Sequence, residues 1–269
     1  MKSTTELSLN LHNSRQSGRD LVLLHGWGLN QAIWDPIVPS LTSHYRVWTM
    51  DLPGFGDSGW EAPDADFSHA SARVANVIAA HIDHPCVLAG WSMGGLVATE
   101  IALRHPRRVH RLVTIASSPH FLKTSEWSGI DPDVLRDFRA QLGSDLNKTI
   151  DRFLSVQALG SPQARAEIKA MRTLLKSKPV PHAEALEAGL QWLAQVDLRS
   201  QLCAIDVPMT RLYGRRDSLV PATIADAIST TLSAQNDQSQ VFLNSAHAPF
   251  ITEPEAFVEA LISANDARN

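Results

Sequence analysis

Two cysteines, Cys86 and Cys203, are all the thiols in 269 residues. That is too few for a disulfide framework, and Cys86, at the head of an apolar run, is expected to be a small buried residue. No stretch approaches the roughly 18 apolar residues of a membrane helix. The opening MKSTTELSLNLH has no apolar core of signal-peptide length, which favours the cytoplasm by default. Charge of one sign is also missing: 24 basic residues stand against 28 acidic ones, for a net charge of −4. Nothing in that balance points to nucleic acid or a membrane surface. No His, Cys and carboxylate cluster has metal-ligand spacing, so neither a metal nor a cofactor is expected. There is no internal repeat and no low-complexity tract.

What is present is an alternation. Short apolar runs recur at 21–24 (LVLL), 47–52 (VWTMDL), 86–91 (CVLAGW), 112–117 (LVTIAS), 209–214 (MTRLYG) and 240–246 (QVFLNSA). Runs of that length bounded by turn residues read as strands covered on both faces. Residues 6–12 alternate apolar and polar, as a half-buried edge strand does. Helical patterns lie between, at 68–82 and 94–105. The expected fold class is α/β, a doubly wound, mostly parallel sheet whose strand ends gather the chemistry on one edge. From 120 to 195 helical patterns continue with no convincing strand. Phe138, Leu142, Leu146, Ile150, Phe153 and Leu154 recur at the spacing of one helical face, and Gly160-Ser161-Pro162 then punctuates. The expected organisation is a core of 1–119 and 196–269 with a helical lid, 120–195, inserted in it. The alternative is a helical continuation packed elsewhere.

The strongest motif is Gly90-Trp91-Ser92-Met93-Gly94-Gly95, a G-x-S-x-G with one further glycine, set between a buried strand and a helix. A serine on so tight a strand-to-helix turn stands exposed above the sheet, and glycines without Cβ let the turn close. The Met93 N–H would then face a substrate oxyanion at a helix start. Serine needs a base, and the base an orienting acid. Such sheets deliver them in the chain order Ser, Asp or Glu, His. Asp217, in Gly214-Arg215-Arg216-Asp217, and His247, in Ser245-Ala246-His247-Ala248-Pro249, fit that order. A turn-forming Asp is the plainer reading of the first. His120 is the one competitor of the second, since His69, His81, His84, His105 and His110 lie on or beside helices. The second oxyanion donor is assigned to the Trp27 N–H in His25-Gly26-Trp27-Gly28, with His25 and Gly26 structural. The Trp27 side chain either lines an acyl pocket or packs in the core.

Asp51-Leu52-Pro53-Gly54-Phe55-Gly56-Asp57-Ser58 is a turn-rich loop that frames the site. Its Gly-x-Gly does not open a helix and lacks the phosphate-binding pattern. Between 136 and 178 nine basic residues face four acids. That is either a solvated helix face or a local site for an anionic partner. The residues alone therefore reach a serine esterase with a helical lid and a basic face.

Taken together these segments resemble the pimeloyl-acyl-carrier-protein methyl ester esterases of bacterial biotin synthesis, which have the α/β-hydrolase fold. The likeness runs through LVLLHGWGLN (21–30), DLPGFGDS (51–58), GWSMGGLVATEIALRHPRRV (90–109), ASSPHF (116–121), RLYGRRDSLVP (211–221) and AHAPFI (246–251). The lid pieces EWSGIDPDVL (126–135) and DRFLSVQALG (151–160) are the more specific part. The resemblance implies a carboxylesterase that demethylates pimeloyl-acyl-carrier protein, with the acyl carrier protein as its partner; a monomer is one expectation, which the sequence leaves open. It also implies that lid cations at Lys148, Arg152, Arg165 and Lys169 contact phosphopantetheine and the carrier. Two of these are Lys where the family's pattern has Arg, which keeps the charge and loses the bidentate fork. Phe153 matches an acyl-pocket aromatic. Met93, also at the substrate, replaces a more usual Leu of similar volume. The rivals are a broad carboxylesterase for short acyl esters, a carbon–carbon bond hydrolase, and a non-catalytic receptor for a small ligand. A haloalkane dehalogenase is disfavoured because its elbow chemistry uses Asp.

Overall fold

The computed structural model describes residues 5–13, 18–232 and 237–266. Among the described residues seven strands form one sheet: β1 (Leu9–Leu11), β2 (Arg19–Leu24), β3 (Tyr45–Met50), β4 (Cys86–Trp91), β5 (Val109–Ile115), β6 (Met209–Gly214) and β7 (Asp237–Phe242). Their order across the sheet is β1-β3-β2-β4-β5-β6-β7. Only β1 is antiparallel, pairing Leu9 with Met50. β4 and β6 are buried at every position; β4 is a continuous apolar run, as a strand covered on both faces is, whereas β6 also buries Thr210 and Arg211, the latter paired with Asp237. Among the described residues the α-helices are α1 (Val38–Leu41), α2 (Phe67–His81), α3 (Met93–Arg104), α4 (Pro132–Leu142), α5 (Leu146–Gln157), α6 (Ala164–Leu175), α7 (Ala183–Gln195), α8 (Ile224–Ser229), α9 (Pro249–Thr252) and α10 (Pro254–Asp266). Among the described residues no helix is long and apolar enough to cross a membrane.

The chain leaves β2 toward β3 on one side and returns to β4 on the other. Between β2 and β4 the winding reverses, so the loops after these strands diverge and leave a crevice at the sheet's carboxyl edge. His25–Gly28 follows β2 and Ser92 follows β4, so the crevice is flanked by both. The loops after β6 and β7 carry Asp217 and His247 to the same edge.

Between β5 and β6 the chain makes a helical excursion, α4 to α7, whose two ends meet at an antiparallel bridge between His120 and Asp197. The apolar spacing expected of one helical face is divided between two helices. Gly143 caps α4, and the Asp145 side chain accepts from the Lys148 N–H to start α5. A new N-cap outweighs a continuing apolar period, because it satisfies donors that a fresh helix start exposes. β7 likewise begins and ends earlier than its apolar run. Its register is set by pairing with β6 from Asp237 to Phe242, and five of its six residues are exposed or half-buried. At a sheet edge hydrophobicity is a weak guide. His110, expected on or beside a helix, lies in β5.

Candidate active site

Ser92 has φ 53° and ψ −119°, a backbone that L-residues rarely adopt. The glycines around it are required by close approach. A Cβ on Gly90 would lie 2.1 Å from the Gly94 carbonyl oxygen, and one on Gly94 would lie 2.4 Å from that of His25. The elbow is thus pressed against the His25–Gly28 loop, and Met93 opens α3 directly after the serine.

His247 Nδ1 lies 2.7 Å from Asp217 Oδ2, and His247 Nε2 lies 2.9 Å from Ser92 Oγ. A carboxylate only accepts, so Nδ1 carries the proton and Nε2 is left to accept from the serine hydroxyl. The second oxygen of Asp217 accepts the N–H groups of Leu219 (2.8 Å) and Val220 (3.0 Å), which fixes the carboxylate's plane. The His247 carbonyl accepts from Trp91 Nε1 at 2.7 Å. All three side chains are buried, Ser92 at 2% exposure. Among the described residues the N–H groups of Trp27 and Met93 donate no backbone hydrogen bond. Met93 stands at a helix start, where the first N–H groups have no intrahelical acceptor.

His25 and Asp51 hold the surrounding loops. His25 Nδ1 donates to the Gly26 carbonyl (2.8 Å) and Nε2 accepts from the Leu52 N–H (3.0 Å). Burial pushes this imidazole below its ordinary value, against the pull of Asp51, so the neutral tautomer those bonds need is the favoured one. Asp51 accepts from the Gln31 N–H (2.7 Å), Gln31 Nε2 (2.7 Å) and the Asp57 N–H (2.9 Å). The framing role expected of residues 51–58 is what these bonds perform.

The helical excursion packs against the Trp27 loop and the His247 segment. Trp27 Nε1 donates to the Leu186 carbonyl of α7 at 2.8 Å. The Trp27 ring lies 4.6 Å from that of Phe153, which is 5.4 Å from Phe138. Such edge-to-face pairs are favourable beyond the area they bury. The structure therefore brings together the triad, the Trp27 and Met93 loops and Phe153. It leaves His120 apart: that ring bonds the Val196 carbonyl. Lys148, Arg152, Arg165 and Lys169 are exposed on α5 and α6, one helical turn apart within each pair. Among the described residues none of the four forms an ion pair, whereas Arg136, Arg139, Arg172 and Lys178 each do. Arg152 instead donates to Gln141 Oε1 (3.0 Å) and lies 4.9 Å over the Phe138 ring.

Two residues of the excursion escaped the sequence reading. Gln157, the last residue of α5, accepts the His247 N–H on its carbonyl at 3.2 Å. Its side-chain oxygen and nitrogen are both buried with no hydrogen-bond partner among the described residues. Glu167 of α6 is buried and accepts from Thr252 Oγ1 of α9 at 2.8 Å and from Ser161 Oγ. The segment that carries His247 is thus tied to the helical excursion at His247 itself and again at Thr252. A buried polar residue in an apolar helical period is the one available signal for either.

Serine, imidazole and carboxylate in a hydrogen-bonded row at the carboxyl edge of a parallel sheet define an α/β hydrolase equipped for acyl transfer. A family model described as alpha/beta hydrolase fold matches residues 21–254. Solved structures agree in fold: an esterase from Exiguobacterium antarcticum (TM-score 0.83, 23% identity, 96% of this chain and 93% of that one) and an enol-lactonase from Burkholderia xenovorans (TM-score 0.84, 17% identity, 97% and 96%). Curated relatives include proteins named pimeloyl-[acyl-carrier protein] methyl ester esterase. The one from Aeromonas hydrophila subsp. hydrophila is 46% identical over 91% of this chain and 94% of its own length. The one from Vibrio vulnificus is 45% identical over 96% and 98%, and the one from Photobacterium profundum 48% over 91% and 93%. The chain belongs to the pimeloyl-acyl-carrier-protein methyl ester esterase family of the α/β hydrolases.

Proposed function

We propose that this protein hydrolyses the methyl ester of a pimeloyl group borne by acyl carrier protein, yielding pimeloyl-acyl-carrier protein and methanol in cytoplasmic biotin synthesis. The observation that carries the chemistry is the continuous hydrogen-bonded row from Ser92 Oγ through His247 to Asp217. The names of relatives at 45–48% identity support the substrate.

Ser92 Oγ attacks the ester carbonyl as His247 Nε2 takes its proton, and Asp217 holds the imidazolium in place. The Trp27 and Met93 N–H groups receive the oxyanion. His247 then protonates the departing methoxide, and methanol leaves. A water deprotonated by the same imidazole attacks the acyl-enzyme, and Ser92 regains its proton. Residues 120–195 act as a lid that keeps the acyl-enzyme from bulk water. Trp27, Met93 and Phe153 line the acyl chain's path beneath it. Lys148, Arg152, Arg165 and Lys169, cations left unneutralised within the protein, receive the phosphopantetheine phosphate and the acidic carrier.

Charge reversal tests the lid's part. Arg152→Glu with Arg165→Glu raises KM for the carrier-bound ester by about tenfold or more while leaving a short p-nitrophenyl ester within about twofold, since a rim charge acts on encounter with a charged partner. Equal effects on the two substrates would remove the carrier-binding role.

A further inference from the structure

The sixth residue of the elbow motif, Gly95, faces two ways: a Cβ there would lie 2.8 Å from the Gly90 carbonyl oxygen inside the turn, and it would also meet a residue beyond it. A Cβ there would lie 2.5 Å from both Cβ and Oγ of Ser117. The absent side chain lets Ser117 come close, and Ser117 Oγ donates to the Ser92 carbonyl at 2.7 Å. Ser117 is 3% exposed. On the other side of Ser92, its N–H donates to the Ile115 carbonyl at 2.8 Å. The two groups that grip the nucleophile's backbone thus come from residues 115 and 117. Between them Ala116 has φ 43°, and Ser92 and Ala116 are the two non-glycine residues of positive φ among those described. A left-handed alanine costs roughly 1–2 kcal/mol, and such strain persists where surrounding contacts impose it. Here the bond from the Ala116 N–H to the Leu212 carbonyl, at 2.7 Å, holds it.

The Ser92 carbonyl and the Met93 N–H belong to one peptide plane. In a trans peptide they point in opposite directions, and no cis peptide is present among the described residues. A donor that fixes the carbonyl therefore fixes the N–H. The Gly95 and Leu96 N–H groups also reach this oxygen, at 2.9 and 3.3 Å, but they belong to the helix that the peptide begins and move with it. Ser117 anchors the plane to the end of β5, a different element.

We propose that Ser117, set by the left-handed Ala116 and admitted by Gly95, is a positioning residue that aims the Met93 N–H at the reaction's oxyanion. This rests on the assignment of Ser92 as nucleophile and Met93 as donor. Ser117 touches no reacting atom. Its loss lets the Ser92–Met93 plane tilt, so the donor misses the tetrahedral oxygen while the ground-state ester still binds.

The test compares wild type, Ser117→Ala and Ser92→Ala with a short p-nitrophenyl ester and an alkyl trifluoromethyl ketone. Ser92 Oγ adds to the ketone carbonyl, the serine proton passes to His247, and the resulting hemiketal oxyanion occupies the donor site. Removing an oxyanion donor outright costs about 10²–10³ in kcat, and misaiming one costs less. Ser117→Ala, shown folded by its circular dichroism and melting curve, is expected to lose roughly tenfold in kcat with KM within about twofold. The ketone's Ki rises by the same factor as kcat falls. A general packing defect would not move kcat and Ki together while sparing KM. If kcat and Ki both stay within about twofold of wild type, or the loss falls in KM, the positioning role is refuted. If Ser92→Ala still turns over, the underlying site assignment fails instead.

Discussion

Gly189, in the middle of α7, is where the helical excursion meets the loops that carry the proposed oxyanion donors, and Gly189→Ala tests that contact. By helix propensity alone the change stabilises by about 1 kcal/mol. A Cβ at this position, however, would lie 2.6 Å from Trp27 Cδ1 and 2.9 Å from Met93 Sδ, where ordinary contact begins at 3.4 Å. The gap must open by about 0.8 Å, the difference between the first and last of these distances. Trp27 has little room to yield. Its indole N–H is bonded to Leu186 on the same helix, and its ring is flanked by Phe153. Overpacking of this kind costs about 1–3 kcal/mol, so the net effect runs from neutral to about 2 kcal/mol destabilising. For a chain of this size 1 kcal/mol moves Tm by about 2–4 °C. Activity suffers more than stability, because the displaced residues carry the two proposed donors and a shift of about 1 Å at a reacting centre can cost 10²-fold. The expected result is a fall of at least about tenfold in kcat/KM for a short p-nitrophenyl ester, with Tm unchanged or lower by up to about 8 °C. Wild-type activity with a raised Tm would refute the reasoning, showing that α7 does not bear on Trp27 and Met93 as described.

Two further outcomes follow from buried polar groups. Folded His25 has its pKa lowered from 6.5 by burial, so below about pH 6.5 the unfolded chain takes up the proton first and stability falls as the pH drops. His25→Asn is expected to lower Tm at pH 7.5 and to flatten its decline between pH 6.5 and 5, read by thermal melts; an unchanged slope would remove His25 from the account. Gln157→Leu is expected to raise stability by about 1 kcal/mol, since it removes buried amide atoms that lack partners. A loss of stability on denaturant titration would mean that the amide makes a stabilising bond in solution.

The row of Ser92, His247 and Asp217 was legible because each member sits in a local pattern that a strand end and a tight turn demand. Ser92 lies between glycines whose Cβ atoms would collide, and Asp217 and His247 each follow a strand run. β2 and β4 were legible because residues 21–24 and 86–91 are covered on both faces and run uninterrupted in apolar residues, and β6 was legible although it buries Thr210 and Arg211. β7 was placed too late, since its pairing surface, Gln238-Ser239-Gln240, is polar and only register with β6 reveals it. The division of α4 from α5 was hidden because Leu142 and Leu146 keep the helical period across the Asp145 cap. Ser117, Gln157 and Gly189 give no signal along the chain. Their parts depend on neighbours 25, 90 and 162 positions away (Ser92, His247 and Trp27), and spacing along a sequence does not encode such contacts. The basic excess of residues 136–178 was visible as composition, but which cations remain unpaired required the positions of Asp133, Glu187, Asp151 and Asp57.

The most direct test of the central claim is hydrolysis of pimeloyl-acyl-carrier-protein methyl ester by the wild type and by Ser92→Ala, beside a short p-nitrophenyl ester. The account predicts methanol release from the carrier-bound ester by the wild type and none by Ser92→Ala. Cleavage of the p-nitrophenyl ester alone would contradict the assigned substrate and leave a general carboxylesterase. Turnover by Ser92→Ala would contradict the site itself.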